Sequence, residues 1–268
     1  MEPPLLYVGL TLVFGLVGGL LPILNQSKEN ISKLKMLTGI ASGILIASAM
    51  LVVIPEGFEL ASEDEHAETL VLGGAILAGF ALMLILEGSG IGHAVHEEHH
   101  DHEHDHGHSH VHHGPPGWML VFGLSLHAAT DGLAIGAAAA SGGVTVTAAV
   151  AFAVLIHKAP AAFSLGVFSM HERGDKSKSI RDVVIFSLAT PVMIMVAFYA
   201  LTDLGHHMIG LAMLFSAGTF LYVATVDTLP DIHNPDTGRK ALMYVITGII
   251  ILVILLILAD SLNLGHEH

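Results

Sequence analysis

The sequence predicts an all-α integral membrane protein. Of its 268 residues, 53% are hydrophobic and only 13% are charged, whereas roughly a quarter of the residues in soluble domains are charged. Hydropathy also marks eight stretches of roughly 20 mostly apolar residues, the length that an α-helix needs to cross a bilayer. We therefore predict eight transmembrane helices.

The predicted spans divide the chain into four parts. Residues 1–92 hold spans one to three, 93–117 a His-rich cytosolic loop, 118–172 spans four and five, and 173–268 spans six to eight. The first apolar run is as long as a span and has no basic segment before it, so we interpret it as a helix and not as a cleaved leader. The approximate spans are Leu5–Leu24, Met36–Ile54, Leu70–Leu86, Trp118–Ala140, Val146–Met170, Val183–Leu201, Ile209–Val226 and Ala241–Leu258.

The basic residues predict the orientation of the chain. All but one of the ten Lys and Arg residues lie in the loops between spans one and two, five and six, and seven and eight, which share one face. Because short cytosolic loops carry the excess of positive charge, both termini are predicted to be non-cytosolic. The sequons at Asn25 and Asn30 would then be cytosolic and unglycosylated. A plasma membrane and a Golgi-type membrane fit these features equally.

Composition also excludes several kinds of site and partner. The chain has no cysteine, which excludes thiolate metal sites and disulfides. Its formal net charge of -14 argues against a nucleic-acid partner, which would require a basic surface. The expected partners are metal ions, which an acidic surface attracts, and the lipid bilayer.

One low-complexity tract lies between spans three and four. Eleven of the twenty histidines fall within His93–His113, in a segment without Lys or Arg. Such a segment cannot bury apolar surface, and its imidazoles suit zinc and related transition metals. We interpret it as a weak cytosolic metal-collecting loop, with a solvated linker as the alternative. The histidines assigned to metal collection are His99, His100, His102, His104, His106, His108, His110, His112 and His113.

Spans four and five carry ionisable side chains at the depth where a bilayer tolerates them least. His127 and Asp131 are four residues apart and so share one helix face. At 1.5 Å per residue, His127 lies about 14 Å into span four and His157 about 16 Å into span five, both near the midplane. Three nitrogen and oxygen ligands with an open fourth place are typical of a zinc site that exchanges its ion. The alternative is that these residues only form interhelical hydrogen bonds.

Two further residues of span five bear on this site. Pro160 frees the carbonyl of Ile156, which offers either an additional oxygen ligand or only a kink. Lys158 at the midplane must lose its proton or find a carboxylate. We interpret it as an electrostatic partner at the metal site, with Asp131 as its nearest partner; the alternative is a salt bridge that locks two helices.

Carboxylates at the predicted span ends form a separate group. Glu56 follows Pro55, and Asp227 follows span seven. Such residues are most often hydrated boundary residues, and the alternative places Glu56 and Asp227 where ions enter or leave.

The motifs of spans four and five resemble those of the ZIP (Zrt/Irt-like) metal transporters. His127-Ala-Ala-Thr-Asp131-Gly132 and His157-Lys-Ala-Pro160 match the family's two signature motifs in part, and the His-rich loop has the expected place. The segments from His157 to Phe163 and from Ala217 to Val223 resemble the corresponding segments of the branch typified by the ninth animal ZIP. The resemblance extends over essentially the whole chain.

This resemblance implies eight helices in a three-two-three inverted-repeat bundle, with metal moving towards the cytosol. The family's usual motifs are His-Asn-x-x-Asp-Gly and His-Glu-x-Pro followed by His or Glu; here Ala128, Lys158 and Ala161 replace potential ligands. Members with the full motifs can hold two adjacent metals, so the resemblance implies one metal for this chain. Thr190, before Pro191, offers only a hydroxyl where a carboxylate would add a ligand.

These patterns favour a zinc transporter that works by alternating access and has no enzymatic activity. Zinc is the expected substrate, and other divalent transition metals are compatible with the ligands. The competing hypotheses are a membrane-embedded zinc hydrolase, which would require a general base such as Glu56 or Asp227, and a zinc-responsive receptor that does not transport. Small-residue faces make a homodimer the hypothesis for the oligomeric state.

Overall fold

The computed structural model describes residues 2–25, 31–63, 68–89, 117–226, 232–235 and 237–261. The His-rich tract and Asp227 lie outside these ranges. Eight helical segments within the described ranges are long and apolar enough to cross a bilayer, as the sequence predicts. The helices are α1 (Leu5–Asn25), α2 (Ile31–Ser48), α3 (Ile54–Ser62), α4 (Thr69–Gly88), α5 (Gly117–Ser141), α6 (Val144–Arg173), α7 (Lys176–Thr202), α8 (His206–Val226) and α9 (Gly238–Ser261).

The second span is longer than predicted. Hydropathy ends it at Ile54, but the helical segment continues to Ser62 and consists of α2, a π-helical turn over Ala49–Val53, and α3. Pro55 stands in the first turn of α3, where its missing N–H is tolerated. The wide turn before it gives the proline ring room that a regular α-helix would deny, so the proline does not end the span.

The helix contacts repeat between the first three spans and the last three. Helix α4 packs against α8 as α9 packs against α2, and α1 packs against α6 as α7 packs against α5. Contacts of α2 with α6 likewise correspond to those of α8 with α5. Corresponding spans are five apart in the chain, an odd number, so they cross the bilayer in opposite directions. This pairing confirms the three-two-three inverted-repeat bundle.

The helices fall into two groups. We call α1, α5, α6 and α7 the site-bearing helices, and α2, α3, α4, α8 and α9 the flanking helices. Glycines allow close backbone contact within each group: a Cβ on Gly132 of α5 would lie 2.4 Å from the Thr190 carbonyl oxygen of α7. Every described helical glycine that touches a neighbouring helix has its nearest contacts in its own group. Between the groups lies the main apolar core, rich in alanine and valine.

Two turns connect consecutive site-bearing helices. Gly142, with φ +85°, makes the tight connection between α5 and α6, a backbone conformation that glycine adopts without steric strain. Gly174, with φ +58°, ends α6 and donates its N–H to the Met170 carbonyl. Asp175 then begins α7, because its carboxylate accepts hydrogen bonds from the N–H groups of Ser177 and Lys178.

Candidate metal centre

The connection at Gly142 sets the depth of both histidines. His127 and His157 are each fifteen residues from Gly142 along the chain, and α5 and α6 run antiparallel from this turn. Equal numbers of residues in two α-helices give equal distances along the helix axes. The two imidazoles therefore meet side by side, with ring centroids 5.5 Å apart.

Asp131 lies between the two histidines. Its Oδ2 is 3.2 Å from Nε2 of His157 and 3.8 Å from Nε2 of His127. One ligand atom from each of the three side chains lies within 4.8 Å of the others, and all three residues are buried. Thus the structure brings together the three residues that the sequence predicts as a metal site.

These distances suit a small cation. Zinc binds nitrogen and oxygen at about 2.0–2.2 Å, which places the ligand atoms of a tetrahedral site roughly 3.4 Å apart. The two separations from Asp131 bracket that value. The other carboxylate oxygen, Oδ1, has no hydrogen-bond partner among the described residues, so the carboxylate is not fully used by protein contacts. Two imidazoles and a carboxylate form a donor set that zinc favours.

The backbone orients His157. Its Nδ1 lies 3.0 Å from the Ala153 carbonyl oxygen one turn earlier in α6. Because a carbonyl oxygen only accepts, Nδ1 is the donor. Donation from Nδ1 leaves Nε2 to face Asp131 and a metal. Phe220 of α8 packs beside the same imidazole, with ring centroids 6.5 Å apart, so a flanking helix closes the site on that side.

Lys158 forms a hydrogen bond that the sequence did not predict. Its side chain is 1% exposed, and its ammonium donates to the Thr190 hydroxyl at 2.7 Å instead of forming an ion pair with Asp131. Successive residues of an α-helix point about 100° apart, so His157 faces α5 while Lys158 faces α7. The position of Lys158 next to His157 in the sequence therefore did not predict its hydrogen bond to Thr190.

The remaining predicted residues either are not among the three clustered ligands or lie outside the described residues. Glu56 is half-buried on α3 and is not part of the three-residue cluster. The predicted positions of Asp227 and of the metal-collecting histidines His99–His113 fall outside the described residues.

Sequence reasoning missed a buried carboxylate between α6 and α7. Asp182 is 1% exposed and accepts hydrogen bonds from Ser169 at 2.9 Å, from Arg173 at 2.9 Å and from Arg181 at 3.3 Å. It ties the end of α6 to the start of α7 beside their connecting turn. The only signal in the sequence was an acidic residue inside a basic loop. Such a residue is equally compatible with an exposed position.

A second group of contacts joins α3 to α8. His206 and His207, which precede the predicted span Ile209–Val226, form the first turn of α8. His206 pairs with Glu63 just beyond α3, and Nδ1 of His207 donates to the Ala61 carbonyl oxygen at 2.8 Å. These contacts lie among the flanking helices and hold the end of the second span against the start of α8.

Comparison with known proteins agrees with this architecture. The sequence profile of the family described as "ZIP Zinc transporter" matches residues 2–116 and 89–256. The chain is 33% identical to Zinc transporter ZIP9-A of Xenopus laevis and 32% identical to Zinc transporter ZIP9 of Micropogonias undulatus, over 94% of each chain in both comparisons. Zinc transporter ZIP9 of Macaca fascicularis is 42% identical over 54% of this chain and 67% of its own length.

The family profile and the first two relatives cover nearly the whole chain, as the resemblance of the motifs predicts, and these relatives are named zinc transporters. With eight helices able to cross a bilayer, an inverted repeat and a buried His-Asp-His cluster on its fourth and fifth spans, the chain belongs to the ZIP zinc transporter family.

Proposed function

We propose that this chain carries zinc across the membrane towards the cytosol through one site formed by His127, Asp131 and His157. The single observation that carries the proposal is the convergence of these three ligands, buried, on two adjacent spans. Ionisable residues at that depth are costly, and those that occur usually mark an ion path. The names of the relatives, which describe zinc transporters, support the choice of metal.

The burial of the site and the grouping of the helices support the proposal of alternating access. The ligands are buried, so an ion reaches them only after a rearrangement. Close glycine contacts hold the helices together within each group, whereas apolar side chains fill the space between the groups. Smooth apolar surfaces slide past each other more readily than interlocked backbones. We propose that the site-bearing helices move as one unit past the flanking helices.

The direction of transport rests on the predicted topology. The distribution of basic residues predicts that the His-rich tract is cytosolic, where its histidines would receive the released ion. Sequons at Asn25 and Asn30 test this topology: a glycosidase-sensitive mass on the wild-type protein would reverse the orientation. Two imidazoles and a carboxylate also suit other divalent transition metals. Competition of these metals with zinc for transport measures the selectivity of the site.

The decisive experiment is uptake of radioactive zinc into proteoliposomes by the full chain and by two alanine variants of α6. His157→Ala removes a ligand and should abolish saturable flux while the protein stays folded. His171→Ala removes an exposed histidine near the end of the same helix and should retain wild-type flux. Wild-type flux in His157→Ala would refute the site. Zinc binding without flux in the wild-type protein would favour the receptor or hydrolase hypothesis.

A further inference from the structure

Lys158 is a buried cation beside the metal ligands, and its contacts point away from them. The ammonium donates to the Thr190 hydroxyl at 2.7 Å and lies 4.4 Å from the centroid of the Phe186 ring. Both partners belong to α7, whereas the metal ligands belong to α5 and α6. The positive charge is thus held by α7, a helix that carries none of the three ligands.

The Thr190 hydroxyl is itself fixed by a second bond. It donates to the Ala128 carbonyl oxygen at 2.7 Å, next to His127 in the chain. Since a hydroxyl has one hydrogen, that donation leaves its lone pairs for Lys158. Thr190 is fully buried, so no solvent competes for either bond. Its side chain therefore joins α5, α6 and α7 at one point.

Asp131 is the other group that could attract this ammonium. Its carboxylate interacts electrostatically with Lys158, its Oδ1 has no hydrogen-bond partner among the described residues, and opposite charges attract strongly where water is excluded. An ammonium bonded to Asp131 would occupy the lone pairs that zinc needs. The cation must therefore be held elsewhere if the carboxylate is to serve as a ligand.

We propose that Thr190 is a positioning residue for zinc binding, which holds the Lys158 ammonium on α7 and so keeps the Asp131 carboxylate available to the metal. This inference rests on the proposed function of the site. Removal of the hydroxyl leaves a buried ammonium without its acceptor, and a buried unpaired charge seeks the nearest carboxylate. The lysine then competes with zinc for Asp131.

The test is zinc flux in proteoliposomes, with KM and maximal rate measured separately for variants of the full chain. Thr190→Val should raise KM for zinc by about tenfold, the order expected for loss of a hydrogen bond to a charged group, while Thr190→Ser should retain the wild-type KM. In a Lys158→Met background, Thr190→Val should leave KM unchanged, because no ammonium remains to compete. Thr11→Val is the matched control, since that buried hydroxyl bonds only to carbonyls of its own helix.

An equal rise of KM with Lys158 present and in the Lys158→Met background would overturn the inference, because Thr190 would then act through packing or through Ala128 alone. An unchanged KM in Thr190→Val would overturn it too. If Thr190→Val does not fold, Thr190→Ala is used in its place. If a variant loses flux, equilibrium zinc binding in detergent is measured in place of KM, and the signal of Asp131→Ala is subtracted. Wild-type zinc flux in Asp131→Ala would instead refute the proposed function.

Discussion

Gly79 of α4 and Gly218 of α8 lie opposite each other where their helices cross. A Cβ on Gly79 would lie 1.9 Å from the Phe215 carbonyl oxygen, and a Cβ on Gly218 would lie 2.0 Å from the Ile76 carbonyl oxygen. The corresponding crossing of α2 and α9 has the same arrangement at Gly43 and Gly248. The flanking helices are therefore joined by backbone contacts that only glycine permits.

We expect Gly79→Ala to destabilise the protein by about 1–3 kcal/mol, the usual range for overpacking of a close contact. Thermal unfolding in detergent measures the effect. Gly74→Ala is the control on the same helix, because a Cβ there meets nothing within 4 Å. Equal unfolding temperatures for the two variants would contradict the crossing described for α4 and α8.

Asp182 should be important for stability and not for metal binding. Asp182→Ala removes the acceptor of Ser169 and Arg173 and leaves a partly buried guanidinium without its partner, at an expected cost of about 2 kcal/mol. Asp203→Ala, at the exposed opposite end of α7, should have little effect. Thermal unfolding gives the loss of stability, and an altered zinc affinity in Asp182→Ala would argue for a role beyond the helix connection.

The cap of α7 predicts a dependence of stability on pH. Hydrogen bonds from the N–H groups of Lys178 and Ser177 lower the pKa of Asp175 below its ordinary value of 3.8. A lowered pKa in the folded state means that the carboxylate stabilises the fold at neutral pH and that this contribution disappears as the pH falls through the folded pKa.

Asp175→Ala should therefore unfold a few degrees below wild type at neutral pH, and the difference should shrink below about pH 3.8. Asp175→Ser retains a capping oxygen that does not titrate, so its unfolding temperature should lack this acid dependence. A constant difference between wild type and the alanine variant at all pH values would exclude the carboxylate as the cause.

One zinc per chain is expected at the intramembrane site. The described residues offer one cluster of three ligands, and the ammonium of Lys158 lies next to it in the chain, where a second cation would be repelled. Deletion of residues 93–113 removes the histidines that the sequence predicts to collect metal, and elemental analysis of the purified variant then counts the ions. Two zinc ions per chain, both lost in Asp131→Ala, would refute a single site.

Much of the site could be predicted from the chain alone. The spacing of His127 and Asp131 puts both on one helix face, and equal distances from the Gly142 turn bring His157 to the same depth. These relations are local or follow from helix geometry and bilayer thickness. The same holds for the spans, except that the second one continues through Pro55 because a π-helical turn accommodates the proline.

Contacts between helices that are distant in the sequence could not be predicted in this way. The sequence determined the eight spans, the ligand types and their depth, because hydropathy and helix periodicity act within a segment. Only the tertiary structure decided that Lys158 bonds to Thr190 and that Asp182 is buried against Arg173. Periodicity specifies which face of a helix a side chain occupies, but packing of the whole bundle determines which helix that face meets.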